Sequence, residues 1–143
     1  MMWTCTKCGQ KFIYKNANHS CRDKSVENYL HGKSGHTIGL FFHFLEEFNK
    51  IGEIVLHPAK TRISFAAQIR FGYIHRLGKD YIDVVFQFRQ NYLDENQFYK
   101  IAQVPESSIF NHYVRIKQKE DVNEELRNYM RIAYDIGLRK HLD

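Results

Sequence analysis

All three cysteines of this 143-residue chain lie within its first 21 residues, as Cys5-x-x-Cys8 and then His19-x-Cys21. Two cysteines three positions apart can offer both thiolates to one ion from a tight turn. A His/Cys pair after a short loop can then close a tetrahedron, and Zn²⁺ favours such a Cys₃His set. With four protein ligands no position remains for a metal-bound water, so the expected zinc is structural and not catalytic. Its binding free energy, on the order of 10 kcal/mol in isolated fingers, would hold a segment too poor in apolar side chains to fold alone. Gly9 supplies the turn after Cys8, Trp3 and Phe12 a small apolar patch, and Lys7, Lys11 and Lys15 a field that favours thiolate over thiol.

Other uses of these cysteines fit less well. A redox Cys-x-x-Cys needs a βαβ context, which does not follow, and a disulfide would leave one thiol over. The His19-x-Cys21 spacing is tighter than is usual for a second ligand pair. His31 or His36 therefore stands as a substitute for His19.

A second group of chemistry-bearing residues lies in His57-Pro58-Ala59-Lys60-Thr61-Arg62. Lys60 and Arg62 could grip a phosphate or carboxylate while Thr61 donates a hydrogen bond, with His57 in the same segment and Arg70, His75, Arg76 and Lys79 joining from neighbouring strands. The plain alternative is a polar strand connection stiffened by its proline. Tyr73, His75 and Tyr81 could form a stacking platform for single-stranded bases, although core packing explains them as simply. Asp80 and Asp83 sit three positions apart on one predicted strand and so face opposite sides. No serine or cysteine nucleophile motif and no glycine-rich phosphate loop is present, which favours a binding role over an enzymatic one.

Net charge is +5 and unevenly spread. Residues 1–24 hold Lys7, Lys11, Lys15, Arg22 and Lys24 against Asp23 alone, whereas residues 25–110 are balanced at nine basic and nine acidic side chains. The excess makes Lys7, Lys11, Lys15 and Arg22 candidate contacts for nucleic acid. No apolar run is long enough for a membrane span, and no signal-peptide pattern opens the chain, so a cytoplasmic protein is expected.

Periodicity places these groups on an α+β scaffold. A zinc-knuckle module over residues 1–24 precedes an α+β domain over 25–143. A short helix through Val26, Tyr29 and Leu30 ends at Gly32, and a longer one covers Thr37–Asn49, with Ile38, Phe41, Phe42, Leu45 and Phe48 on one face. Alternation then predicts strands at Ile54–Leu56, Arg62–Gln68, Phe71–Leu77, Tyr81–Phe88, Phe98–Val104 and His112–Lys117. Phe71, Tyr73, His75 and Leu77 are expected on one side, and the short gaps suggest an antiparallel meander. A last helix, Asp121–Lys140, carries Val122, Leu126, Met130, Ala133 and Ile136 as its apolar stripe and packs on the sheet.

The opening Met2-Trp3-Thr4-Cys5-Thr6-Lys7-Cys8-Gly9 with His19-Ser20-Cys21, the central segment Val55–Phe65, and His112-Tyr113-Val114-Arg115-Ile116 before the last helix resemble an uncharacterised bacterial family. That family is domain of unknown function 5655, preceded by a zinc knuckle. The resemblance covers nearly the whole chain and implies the fold and the zinc, but no reaction. Thr6 departs from the proline usual in the family's first knuckle.

Together these readings describe a zinc-containing binding module for nucleic acid or a protein partner, or alternatively a domain holding a small anionic ligand at His57–Arg62. Replacing Cys8→Ser should release one Zn²⁺ per chain by elemental analysis while leaving the helical circular-dichroism signal of residues 25–143 largely intact.

Overall fold

Ser34 begins the longest helix. Its hydroxyl oxygen accepts the Thr37 amide at 3.1 Å, filling one of the donors that a first helical turn leaves open. The computed structural model describes residues 3–4, 11–12, 26–59 and 62–139. Short strands β1 (Trp3–Thr4) and β2 (Lys11–Phe12) pair with each other, and α1 spans Val26–Leu30. Helix α2 runs Gly35–Ile51 and closes on Gly52, whose amide reaches the Phe48 carbonyl at 3.0 Å. The cysteines, His19 and all of the expected knuckle other than these two short strands lie outside the described residues.

Six strands follow: β3 (Val55–Pro58), β4 (Ile63–Ala66), β5 (Arg70–Leu77), β6 (Ile82–Phe88), β7 (Lys100–Gln103) and β8 (Phe110–Ile116). They form one antiparallel sheet in the order β3-β4-β5-β6-β8-β7. The expected meander holds through β6 and then changes, because β8 inserts beside β6 and β7 lies outside it. The 11-residue connection 89–99 gives the chain room to make that exchange. Burial explains its direction: β8 carries the buried His112, Val114 and Ile116, whereas Lys100 and Gln103 of β7 are exposed and suit an edge. Pro58 likewise sits in β3, the opposite edge strand, where a missing backbone donor is tolerated.

The core lies between one sheet face and the two long helices. Phe44 and Phe48 of α2 meet Phe65 and Phe86 at centroid distances of 5.6–6.4 Å, in the tilted and edge-on contacts that aromatic rings prefer. Helix α3 (Glu124–Gly137) crosses the same face and buries Leu126, Met130, Ala133 and Ile136. It starts three residues later than Asp121 because Asn123 caps it, its side-chain oxygen accepting the Leu126 amide at 2.9 Å. Asp121 instead accepts the Lys117 and Gln118 amides at 2.8 and 3.1 Å. Arg127 of α3 donates to the buried Glu47 of α2 at 3.2 Å. That hydrogen bond, against the opposing effect of burial, holds the Glu47 carboxyl below its usual range.

Strand β5 is where the simple alternation fails. Its register shifts opposite Phe65/Ala66 and again between Ile74 and Arg76. A bulge lets neighbouring side chains share a face, so Phe71 and Leu77 enter the core while Tyr73 and His75 lie on the other side. Gly72 is required beside the first bulge: a Cβ there would stand 2.5 Å from the Phe65 ring and 2.6 Å from the Val85 carbonyl oxygen. Gly72→Ala should therefore cost about 2 kcal/mol by overpacking, read as a lowered midpoint in urea denaturation.

Candidate functional site

The two long helices cover one face of the sheet, and the other face holds a patterned set of charged and aromatic side chains. Residues in register across antiparallel strands project to the same side. One such row crosses all six strands: His57, Ser64, Tyr73, Val85, Tyr113 and Lys100. A second row joins Arg76, Asp83 and Arg115. The Ile74/Arg76 shift sets both His75 and Arg76 on this face, where regular alternation would place one of them. His75 packs its ring against Tyr113 and Tyr73, at 5.6 and 6.3 Å.

Cations lie over the rings. The Arg62 guanidinium is 4.3 Å from the Tyr73 centroid, the Lys100 ammonium 5.1 Å from Tyr113, and the Arg115 guanidinium 4.2 Å from Tyr81 and 4.9 Å from Tyr99. Each contact contributes roughly 0.5–1 kcal/mol where exposed. Tyr99 and Tyr113 also touch each other, at 5.9 Å. Among the described residues of these rows, the fixed cations Arg62, Arg70, Arg76, Lys100 and Arg115 stand against one carboxylate, Asp83.

Asp83 is only 1% exposed. Arg115 donates to both of its oxygens, Nε to Oδ1 at 2.8 Å and Nη2 to Oδ2 at 3.0 Å. The Tyr99 hydroxyl adds a third donor at 3.2 Å. A buried carboxylate is tolerated when its lone pairs are filled this way, and the fork geometry fixes the guanidinium plane. These hydrogen bonds raise the pKa of Arg115 further above its ordinary value. Burial first, then the Asp83 charge, raises Tyr99. Burial and then the neighbouring Tyr113 raise Tyr73.

The residues expected to form an anion site do not all converge. His57, Arg62 and Arg70 belong to this face, Arg70 in register with Ala66 and close enough to His57 for its charge to act there, whereas Lys79 does not join them. Arg70 begins β5 and Lys79 follows its end, so an eight-residue strand at about 3.3 Å per residue separates them by roughly 20 Å or more. The Lys79 carbonyl oxygen instead accepts the Ser34 and Thr37 hydroxyls at 2.7 and 2.8 Å and anchors the start of α2. Lys60 and Thr61 lie outside the described residues, as do Lys7, Lys15 and Arg22, and Lys11 is described only as backbone of β2. Arg76, one of the cations expected to join from a neighbouring strand, does lie on this face, whereas Asp83, Tyr99, Lys100, Tyr113 and Arg115 were not singled out as site residues from the sequence. For Tyr113 and Arg115 a signal existed, since they alternate with Val114 and Ile116.

Residues 26–137 match the family described as Domain of unknown function (DUF5655). The chain belongs to that family. No curated protein and no solved structure matches it. The DUF5655 domain of this chain thus comprises both long helices and the whole six-stranded sheet. Among its described residues no group of three or more histidine, cysteine or acidic side chains is placed to hold a metal, and no helix is long and apolar enough to cross a membrane.

Two histidines give the DUF5655 domain a pH dependence. Burial, with Arg70 adding, lowers His57 to about 4. His112, fully buried, donates Nδ1–H to the Phe110 carbonyl at 2.8 Å and accepts the Tyr92 amide at Nε2 at 3.2 Å. Burial lowers it as well. The unfolded chain binds these protons more readily, so protonation favours unfolding. Stability should be complete above the ordinary imidazole value of about 6.5, then fall as pH drops from there to about 4, measured by urea midpoints across that range. His112→Gln should flatten part of the slope.

Proposed function

We propose that this chain is a non-enzymatic binding module that takes single-stranded nucleic acid on the open face of its sheet. A structural zinc knuckle built on Cys5, Cys8, His19 and Cys21 would precede the domain. The supporting observation is the set of cation-over-tyrosine contacts repeated on adjacent strands. Tyrosine rings stack on bases regardless of sequence, and the cations beside them meet phosphates. From β5 to β7 the face spans four strands, about 14 Å at the usual strand spacing, which suits an extended chain better than a single small molecule. Asp83 is committed to Arg115 and Tyr99, so it is poorly placed to serve as a general base.

A small anionic ligand held at His57–Arg62 has less in its favour. Arg62 is turned on to Tyr73, and Arg70 and Lys79 lie at opposite ends of β5. The basic knuckle residues Lys7, Lys11, Lys15 and Arg22 would extend the same electrostatic surface and strengthen any polyanion contact.

Anisotropy titrations of the full chain with labelled single-stranded RNA, single-stranded DNA and duplex at low salt test this reading. Single strands should bind more tightly than duplex. Tyr99, the most exposed ring of the face at 49%, discriminates stacking from structure: Tyr99→Ala should weaken binding about tenfold, whereas Tyr99→Phe should hold most of it. Lys100→Ala should reduce the slope of log affinity against log salt by about one. No binding of either single strand at low salt would end the proposal.

A further inference from the structure

A cleft of about 370 Å³ opens where the turn between α1 and α2 passes the end of β5. Tyr29, His31, Lys33, His75 and Arg76 line it, and among the described residues no carboxylate does. Its shape follows from two local features. Gly32, with φ at 77°, takes the left-handed conformation that stops α1 and turns the chain, carrying His31 and Lys33 to the cleft. Pairing with β4 ends at Ile74, so the stretch His75–Leu77 has β6 on one side and an open strand edge on the other. At that edge the second bulge brings His75 and Arg76 together.

A second observation points to a ligand. Tyr29 Oη is buried and has no hydrogen-bond partner, the only such side-chain atom among the described residues. The backbone amides of Arg62 and Ala59 lie near this oxygen without a well-formed hydrogen bond, and its O–H is left with no acceptor, a cost that a ligand oxygen would offset. Burial raises the Tyr29 pKa, opposed by the backbone amides of Arg62 and Ala59 nearby, so at neutral pH it is a hydroxyl and can donate.

We infer that this cleft is a phosphate site, suited to a phosphate monoester. Such an ester carries close to two negative charges at neutral pH, which Lys33 and Arg76 match in number. The arginine fork can hold two phosphate oxygens at once, and His31 and His75 supply further donors. His75 also packs on Tyr73 and Tyr113 of the open face. A strand lying on that face could therefore place its terminal phosphate in the cleft. This last step rests on the nucleic-acid reading, whereas the phosphate chemistry of the cleft does not.

Two measurements on the full chain separate the possibilities. In NMR titrations, inorganic phosphate and pyrophosphate should shift the ring signals of His31 and His75 and saturate, and Lys33→Ala should abolish saturation. In anisotropy, a single strand with a 5′-phosphate should bind about tenfold more tightly than the same strand with a 5′-hydroxyl. Lys33→Ala should erase that difference while leaving the 5′-hydroxyl strand unaffected. Saturable phosphate binding with no strand binding would keep the cleft as a site for a free phosphate compound and remove the strand. Equal binding of both strands, with no saturable response to phosphate, would overturn the cleft and leave the sheet face standing.

Discussion

Strand β5 carries two register shifts within eight residues, and both faces of the sheet depend on them. The first sends Phe71 inward, where it meets Phe48, Phe65 and Tyr134 at 5.1–6.1 Å and fills the space beneath α3. The second sends His75 and Arg76 outward together. A strand of regular pleat would trade one requirement for the other, since period two cannot satisfy a core and a charged face that are out of phase. The shifts cost ladder hydrogen bonds at two points. Aromatic burial on one side and ring contacts on the other offset that cost.

The outward face has its own organising contact in Asp83. Fixed cations gathered on one sheet face repel one another, and a lone surface carboxylate would relieve little of that strain in high dielectric. Burying Asp83 beneath Arg115 changes the balance, because an attraction screened from water is stronger. The same pair holds the Arg115 guanidinium flat between Tyr81 and Tyr99. A guanidinium fixed in this way loses less entropy when it meets a phosphate or a base than one that must be ordered on binding. Pre-organisation of this kind gives the face its fit to a binding role.

Much of the fold was legible in residue patterns. The helix through Phe41 and Phe48, the stripe of Leu126, Met130 and Ala133, and the alternation of Ile82 to Phe88 all follow from spacing alone. Boundaries moved where a side chain outbid the pattern, as when the Asn123 cap set the start of α3 at Glu124 and not at Asp121. The bulges and the exchange of β7 with β8 were not legible, because both are settled by what lies opposite a residue and not by its neighbours in sequence. The site fared accordingly. Arg62, Tyr73, His75 and Tyr81 were visible as residue types, but Asp83 could not be paired with Arg115 until the order of the strands was known. Thirty-two positions separate those two residues.

The strand exchange ties the core to the face. In a plain meander β7 would lie beside β6, exposing Val114 and Ile116 at an edge and putting Lys100 and Gln103 near the centre. Moving β8 inward buries those two apolar side chains, and a buried Val or Ile is worth roughly 1.5–3 kcal/mol. The same move sets Arg115 directly across from Asp83 and Tyr113 directly across from Val85. Lys100 then falls opposite Tyr113 on the outer edge, close enough to sit over its ring and still reach solvent. Hydrophobic burial on the helix side therefore selects the one strand order that assembles the charged rows on the other, and the candidate site needs no separate device to position it.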